Sequence, residues 1–262
     1  KRQLTWFRRN KDVHWLRRAP GEGTEEIIVR GDEKKSTELA CNLGIDAKLY
    51  YFDAKTGEKI TDYILDSVTM NAESLRCKEH IEKCADIFKT LHTSEVDTGV
   101  PFDVIEMSNT YEDFISRHGG SFYDDFQDVK QYINDIKNSY MLNVKKVPCH
   151  NDALCENWIR QGDKMYLIDW EYAGMNDPMW DLADVSLEAE FTEEHDEYFL
   201  ECYLGHKATE EERRAFLINK VLIDYLWSLW GKTRAVYDGE ELEEYARTRY
   251  ARMKATIDKM EE

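Results

Sequence analysis

The chain has 262 residues, of which 42% are hydrophobic, and its 35 basic and 53 acidic residues give a formal net charge of −18. This balance argues against nucleic-acid binding, because proteins that bind the phosphate backbone need a basic surface. The apolar runs are much shorter than the roughly 20 residues that cross a bilayer, and no secretion leader opens the sequence. The composition therefore predicts a soluble cytoplasmic protein without a membrane segment, and its charge suits a cationic substrate.

The first 65 residues predict a small lobe of short strands around one helix. Residues 13–18 have the pattern of a strand and run into a turn cluster of proline and glycine. Thr24 is placed to cap a helix that stops at Gly44. Leu49–Phe52 and residues 59–65 predict two further extended segments on either side of a turn.

From about residue 70 onward, apolar residues recur at the three- and four-residue spacing of helices. One such stretch has its apolar face formed by Ile81, Cys84, Ala85, Phe88 and Leu91. Further helices are predicted over residues 111–117, 122–142 and 210–234. This part of the chain is therefore predicted to be mainly helical.

One β-hairpin is predicted among these helices. Residues 157–161 and 164–171 are extended runs joined by a Gly-Asp pair, which favours a two-residue turn. The complete pattern predicts an α+β fold with two lobes. Residues 1–65 form a small β-rich N-terminal lobe, and residues 66–262 form a larger, mainly helical C-terminal lobe that carries the hairpin.

The segment around this hairpin has the residues that phosphoryl transfer needs. Its transition state is stabilised by positioning and charge neutralisation, with a carboxylate beside the attacking hydroxyl and a metal on the phosphates. The pattern His150-x-Asp152-x4-Asn157 supplies a carboxylate and an amide, and the hairpin returns the chain to Asp169. Asp152 is predicted to face the hydroxyl, with Asn157 and Asp169 holding Mg²⁺ through the oxygen donors it prefers. The alternative is that these polar residues only satisfy a buried turn.

Residues 150–157 (HNDALCEN) and 168–172 (IDWEY) resemble the catalytic and metal-binding signature of the aminoglycoside phosphotransferase and choline kinase superfamily. Residues 176–183 resemble the segment that follows this signature. Residues 20–26, 91–94 and 227–230 narrow the resemblance to the bacterial choline kinases that supply phosphorylcholine for surface decoration. The resemblance implies a protein-kinase-like bilobal fold, with ATP between the lobes and choline as the phosphate acceptor.

The resemblance also implies individual roles when it is carried over position by position. Asp152 matches the catalytic base, and Asn157 and Asp169 match the magnesium ligands. Glu171 is an additional carboxylate on the metal side. His150 matches a residue that braces the catalytic loop.

Residues on the nucleotide side and in the scaffold are implied in the same way. Arg18 matches the basic residue that contacts the phosphates, with Glu33 on the next helix as its ion-pair partner and Glu38 as the competing choice. Tyr63, in the linker between the lobes, is expected to border the adenine. Asp181 resembles a scaffold residue that hydrogen-bonds the catalytic loop.

Two tryptophans indicate the substrate. Trp227 and Trp230 are three residues apart on a predicted helix, so their rings share a face. Aromatic faces attract quaternary ammonium groups, although such a pair is otherwise typical of a hydrophobic core. The resemblance favours the first interpretation, because it implies a choline pocket lined by Trp-x-x-Trp and a further tyrosine, to which Tyr245 corresponds. Glu188 is predicted to offer a carboxylate to the cation, or else to be solvated.

The start of the chain leaves alternatives open. The family pattern opens with a strand, a glycine-containing phosphate loop and a second strand, whereas no glycine precedes Gly21. Either residues precede this start or the loop differs, which keeps a non-catalytic, choline-binding pseudokinase as one alternative. A kinase acting on ethanolamine, thiamine or aminoglycosides is the other, and the tryptophan pair favours choline over ethanolamine.

Overall fold

The structure is a computed structural model that describes residues 29–238 and 240–261. Arg18 and the strand predicted over residues 13–18 lie outside the described residues. The helices are α1 (Arg30–Asn42), α2 (Ala72–Leu75), α3 (Lys78–His92), α4 (Val104–Arg117), α5 (Phe126–Ser139), α6 (Pro178–Glu188), α7 (Glu193–Leu204), α8 (Glu210–Asp238) and α9 (Glu240–Glu261). The strands are β1 (Leu49–Phe52), β2 (Lys59–Thr61), β3 (Val68–Thr69), β4 (Val147–Cys149), β5 (Trp158–Gln161), β6 (Lys164–Leu167) and β7 (Gly174–Asn176). This is the predicted α+β architecture, with strand pairings β1-β2, β3-β5-β6 and β4-β7.

Helix α1 is the predicted N-terminal helix, and it begins later than expected. Its first residue is Arg30, whereas the predicted cap, Thr24, lies outside the described residues. Val29 is extended, with φ −94° and ψ 102°, so the chain enters the helix only after it. The helix ends at Asn42, close to Gly44, whose φ of 73° suits a glycine.

Strands β1 and β2 form an antiparallel pair around the predicted turn. β2 is shorter than the extended segment predicted over residues 59–65. The pairing ends where the amide of Asp62 bonds to the Lys48 carbonyl at 2.9 Å. The predicted boundary between the lobes, after residue 65, falls in the connection from β2 to β3.

Strands β5 and β6 confirm the predicted hairpin. Gln161 pairs with Lys164, which leaves Gly162 and Asp163 as a two-residue turn. Gly162 has a φ of 57°, a conformation that glycine adopts without strain. β3 adds to the other edge of β5, so the hairpin is joined to the connection that follows β2.

The helical part is organised around α8, against which α4, α6 and α9 pack. The apolar face predicted on α3 is buried, and none of its five residues is more than 1% exposed. Trp158, Trp170 and Trp180 are among the largest fully buried side chains. No helix within residues 29–238 and 240–261 has the length and apolar character needed to span a membrane.

Three further helices differ in length from their predictions. α4 begins at Val104, before the predicted residue 111, because the Asp103 side chain caps it by accepting from the Ile105 amide at 2.9 Å. α5 is shorter than residues 122–142, since a 3₁₀ turn, Met141–Asn143, replaces its predicted last turn. α8 continues beyond residue 234, alongside α9.

Candidate active site

The loop that carries Asp152 follows β4 and is held by Asp181 on α6. Asp181 is fully buried and accepts hydrogen bonds from the backbone amides of His150 and Asn151, each at 2.8 Å. It also bonds to Nε2 of His92, on α3, at 3.0 Å. Asp181 therefore has the scaffold position that the sequence predicted, and it ties the loop to two helices.

A second aspartate on α6 holds the loop on the other side of Asp152. Oδ2 of Asp184 accepts the backbone amide of Ala153 at 2.5 Å, and the side chain is buried. This residue was not predicted from the sequence. The available signal was its position three residues after Asp181, which places both carboxylates on one face of the helix. The backbone on both sides of Asp152 is thus fixed by buried carboxylates.

His150 braces the loop as a neutral side chain. Its Nδ1 accepts the backbone amide of Asp152 at 3.3 Å, so Nε2 carries the proton that is donated to the Ile168 carbonyl at 2.9 Å. Burial lowers the pKa of His150, which favours the same neutral form. The bond to Ile168 links the Asp152 loop directly to the residue before Asp169.

The hairpin brings Asn157 and Asp169 together, as predicted. Trp158 pairs with Leu167, and the amide of Ile168 bonds to the Asn157 carbonyl at 3.0 Å. Nδ2 of Asn157 also donates to the carbonyl of Asp152 at 2.8 Å. The three residues predicted to perform the chemistry therefore lie at one end of the hairpin.

Two residues of this site have left-handed backbone conformations. Asn151 and Asp169 both have a φ of 68°, a value that is uncommon outside glycine. The side chain of Asn151 donates to the Tyr172 carbonyl at 3.0 Å and accepts from Asn176 at 2.9 Å, which offsets the strain. Strained backbone of this kind is frequent at functional sites.

Several carboxylates share this part of the protein. Burial, together with the charges of Asp169, Glu188 and Glu171, raises the pKa of Asp152 to about 8, while the charge of Arg249 opposes them. Repulsion of this kind favours a bound cation, because a cation among the carboxylates stabilises their charged forms. The electrostatics therefore fit a site for metal and cationic ligands.

Glu33 forms an ion-pair network between α1 and the end of the hairpin. It is 3% exposed and binds Arg30 at 2.6 Å and Lys59 at 3.2 Å. Arg30 also reaches Glu171 at 3.5 Å. The competing residue, Glu38, lies on the exposed side of α1 with Lys34 at 3.8 Å. Arg30 and Lys59 were not predicted from the sequence. The Lys59–Glu33 and Arg30–Glu171 contacts join distant segments of the chain, although Arg30 and Glu33 are a local pair three residues apart on α1.

Tyr63 lies in the connection after β2 and is largely exposed. It lines a cavity of about 360 Å³ between this connection, the end of α1 and the β5-β6 hairpin. Asp46 lines the same cavity, and burial raises the pKa of its carboxyl to about 6.

The predicted aromatic residues form a continuous row. Trp227 and Trp230 lie edge-on with ring centroids 6.2 Å apart, and Trp230 meets Tyr245 at 5.8 Å. Tyr172, which was not predicted, extends the row through Trp227 at 5.2 Å. Trp227 is the most buried of these rings, at 5% exposure, and the others are half-buried. The sequence feature that could have identified Tyr172 as a site residue is its position directly after Glu171.

Glu188, the last residue of α6, is ion-paired with Arg249 on α9. Arg249 also binds Asp224 at 3.2 Å, and Arg252 binds Asp224 at 2.7 Å. The charge of Glu188 acts on Tyr245, but the carboxylate already has a cationic partner within the protein. Sequence reasoning missed Arg249.

Gly231 allows the row to form, because it lies where α8 approaches α9. A Cβ at this position would be 2.8 Å from Cδ1 of Tyr245 and 3.1 Å from Cβ of Ala246. We expect Gly231→Ala to displace Tyr245 and raise KM for choline, the acceptor that the sequence predicts, about threefold to tenfold, with a lower melting temperature. Gly31→Ala is the matched control, since a Cβ there would contact nothing within 4 Å among residues 29–238 and 240–261. Unchanged KM in Gly231→Ala would show that Tyr245 does not contact the substrate.

The α+β fold combines an aspartate loop held by buried carboxylates, a hairpin that joins Asn157 to Asp169, and an ion-pair network around the buried Glu33. This is the organisation of a kinase-like phosphotransferase. Residues 3–228 match the model of the Choline/ethanolamine kinase family, and the chain belongs to this family. It is therefore an ATP-using enzyme with choline/ethanolamine kinase activity.

Individual relatives agree with this assignment. Protein LicA of Haemophilus influenzae is 28% identical over 246 residues, covering 89% of this chain and 90% of that protein. Choline kinase LicA from Streptococcus pneumoniae is 36% identical, with a TM-score of 0.78 over 91% of this chain and 84% of its own. A structure of LicA in complex with AMP is 35% identical, with a TM-score of 0.78 over 92% and 82% of the two chains.

The fold extends beyond the family. The ADP-bound aminoglycoside phosphotransferase APH(2'')-Ib is 16% identical, with a TM-score of 0.57 over 87% of this chain and 82% of its own. At this identity the likeness shows the shared fold alone.

Proposed function

We propose that the protein transfers the γ-phosphate of ATP to the hydroxyl of choline, with Mg²⁺ as cofactor. The observation that carries this proposal is the aromatic row from Tyr172 to Tyr245, which begins next to the catalytic segment. The Tyr172 carbonyl accepts a hydrogen bond from Asn151, the residue before Asp152, and the charge of Asp152 acts on Tyr245 at the other end of the row. Ring faces suit a trimethylammonium group, which donates no hydrogen bonds.

Asp152 is the proposed general base. It accepts the proton of the choline hydroxyl as the oxygen attacks the γ-phosphorus, and the bond to the bridging oxygen of ADP breaks. Asp181 and Asp184 accept hydrogen bonds from the backbone amides on either side of Asp152. They therefore fix the position of the Asp152 carboxylate without bonding to it.

Asn157 and Asp169 are the proposed magnesium ligands, with Glu171 as an additional carboxylate. The Asn157 amide nitrogen is bonded to the Asp152 carbonyl, so its Oδ1 is the atom available for a metal. The donor set is then entirely oxygen, as Mg²⁺ prefers, and the bound ion neutralises phosphate charge. Residues 1–65, with Arg18, Glu33 and Tyr63, are proposed to form the nucleotide-binding lobe.

The test is ADP release from ATP and Mg²⁺ with choline, ethanolamine, thiamine or kanamycin as the acceptor. We expect the highest kcat/KM with choline and no turnover once EDTA removes the metal. Choline binding without stimulated turnover would instead support the non-catalytic, choline-binding alternative. Higher kcat/KM with another acceptor would identify that acceptor as the substrate.

Trp230→Ala should weaken choline binding more than it slows the chemical step. Loss of a cation–π contact of about 1–2 kcal/mol corresponds to a rise of about tenfold in KM, with kcat changed less. Trp230→Phe retains a ring face and should recover most of the affinity. A fall in kcat alone would contradict the assignment of Trp230 to the cation site.

We also propose that the phosphocholine product serves the decoration of a surface polymer, as in the bacterial kinases that the sequence resembles. Cells without the gene should not transfer labelled choline to surface polymers. Wild-type enzyme should restore the label, whereas Asp152→Asn should not. Normal labelling without the gene would contradict this use of the product.

A further inference from the structure

The carboxylate at the end of the aromatic row is already paired. Glu188 is ion-paired with Arg249, and the two side chains are only 16% and 6% exposed. The guanidinium of Arg249 also lies 5.0 Å from the centre of the Tyr245 ring. The Arg249 guanidinium therefore already contacts the Glu188 carboxylate and the Tyr245 ring, two groups that a substrate cation could otherwise use.

Arg249 is fixed in this position by a second ion pair. Its Nη1 binds Asp224, which is fully buried, at 3.2 Å. Asp224 receives two further bonds from Arg252, each at 2.7 Å, and Arg252 also donates to the Leu187 carbonyl at 3.3 Å. Two arginines thus balance two carboxylates, so the guanidinium is held on Glu188 by the packing of α9 against α6 and α8.

The pairing of Glu188 with Arg249 has different consequences for ethanolamine and for choline. A primary ammonium has three N–H donors, and each donor that loses water without gaining an acceptor weakens binding. A trimethylammonium has none and needs only apolar and aromatic contact. A site in which Arg249 holds Glu188 therefore offers ring faces to the cation and withholds a carboxylate acceptor.

We infer that Arg249 determines substrate specificity, favouring quaternary over primary ammonium alcohols by keeping the Glu188 carboxylate paired. This inference rests on the proposed choline kinase function. It assigns to Arg249 a role in selecting the acceptor, in addition to the effect of its charge on Asp152. Asp152 is the carboxylate for the hydroxyl end of the substrate, and Glu188 is the carboxylate at the ammonium end.

The test is competition between choline and ethanolamine in one reaction, which measures the ratio of their kcat/KM values independently of how much enzyme is active. Arg249→Met should raise the ethanolamine-to-choline ratio about tenfold or more, because Glu188 then accepts from the primary ammonium. The double variant Arg249→Met/Glu188→Leu removes that acceptor and should return the ratio close to wild type. Arg249→Lys keeps the charge and should also remain close to wild type.

An unchanged ratio in an Arg249→Met enzyme that still phosphorylates choline overturns the inference while leaving the proposed function intact. If wild-type enzyme phosphorylates neither alcohol, the proposed function itself fails. If Arg249→Met has no turnover with either alcohol, the inference is tested instead by measuring KM for choline and ethanolamine in the Glu188→Gln variant. With its partner neutralised, Arg249 should repel both cations and raise both KM values about tenfold. Unchanged KM values there overturn the inference.

Discussion

Asp152→Asn is expected to lower kcat for choline phosphorylation by about a thousandfold, within the range typical of a lost general base. Asparagine has nearly the same shape, and the loop is held through the backbone of residues 150, 151 and 153 and not through the Asp152 side chain. The variant should therefore fold normally and still bind choline. The measurements are steady-state kinetics of ADP release and calorimetric titration with choline.

Glu156→Gln is the matched control for Asp152→Asn. Glu156 is an exposed carboxylate on the 3₁₀ turn of the same loop, so its loss should leave kcat unchanged. If Asp152→Asn retained near-wild-type kcat, the base would have to be assigned to another of the clustered carboxylates. A loss of choline affinity without a fall in kcat would place Asp152 at the ammonium end of the substrate.

Asp181→Ala is expected to remove activity and stability together. The substitution leaves the buried amides of His150 and Asn151, and Nε2 of His92, without their acceptor. Each donor buried without a partner costs about 1–3 kcal/mol, so the free energy of unfolding should fall by roughly 3 kcal/mol or more. That is a large share of the roughly 5–15 kcal/mol by which a typical protein is stable.

Urea unfolding and kinetics on the same preparation measure both effects of Asp181→Ala. Asp86→Ala is the control, because Asp86 is an exposed aspartate on α3 and its loss should change neither quantity. If kcat fell while the free energy of unfolding was unchanged, Asp181 would have a direct chemical role. If neither changed, the loop would be held by other contacts.

The parts of the site that sequence predicts are those set by local chemistry. The Gly162-Asp163 turn determines the hairpin register, and this register alone brings Asn157 close to Asp169. In the same way, the three-residue spacing of Trp227 and Trp230 is sufficient to bring their rings together on α8. Neither feature depends on where distant segments of the chain fold.

The parts that sequence did not predict are made by contacts between distant segments. Arg30 reaches Glu171 across 141 positions of the chain, and Arg249 reaches Glu188 across 61. No periodicity or turn signal reports such pairs, because each depends on how helices pack. The start of α1 at Arg30 was missed for a different reason, since its N-cap, Val29, forms no side-chain cap.

The groups proposed for catalysis and those proposed for recognition lie on different segments. The catalytic groups lie on residues 150–171, which are held by α6, whereas most of the aromatic row and Arg249 belong to the helix pair α8 and α9. Substitutions on the C-terminal pair can therefore change which alcohol is accepted without altering the bonds that hold the base. Acceptor preference in this architecture is free to diverge among relatives while the phosphoryl-transfer apparatus stays constant.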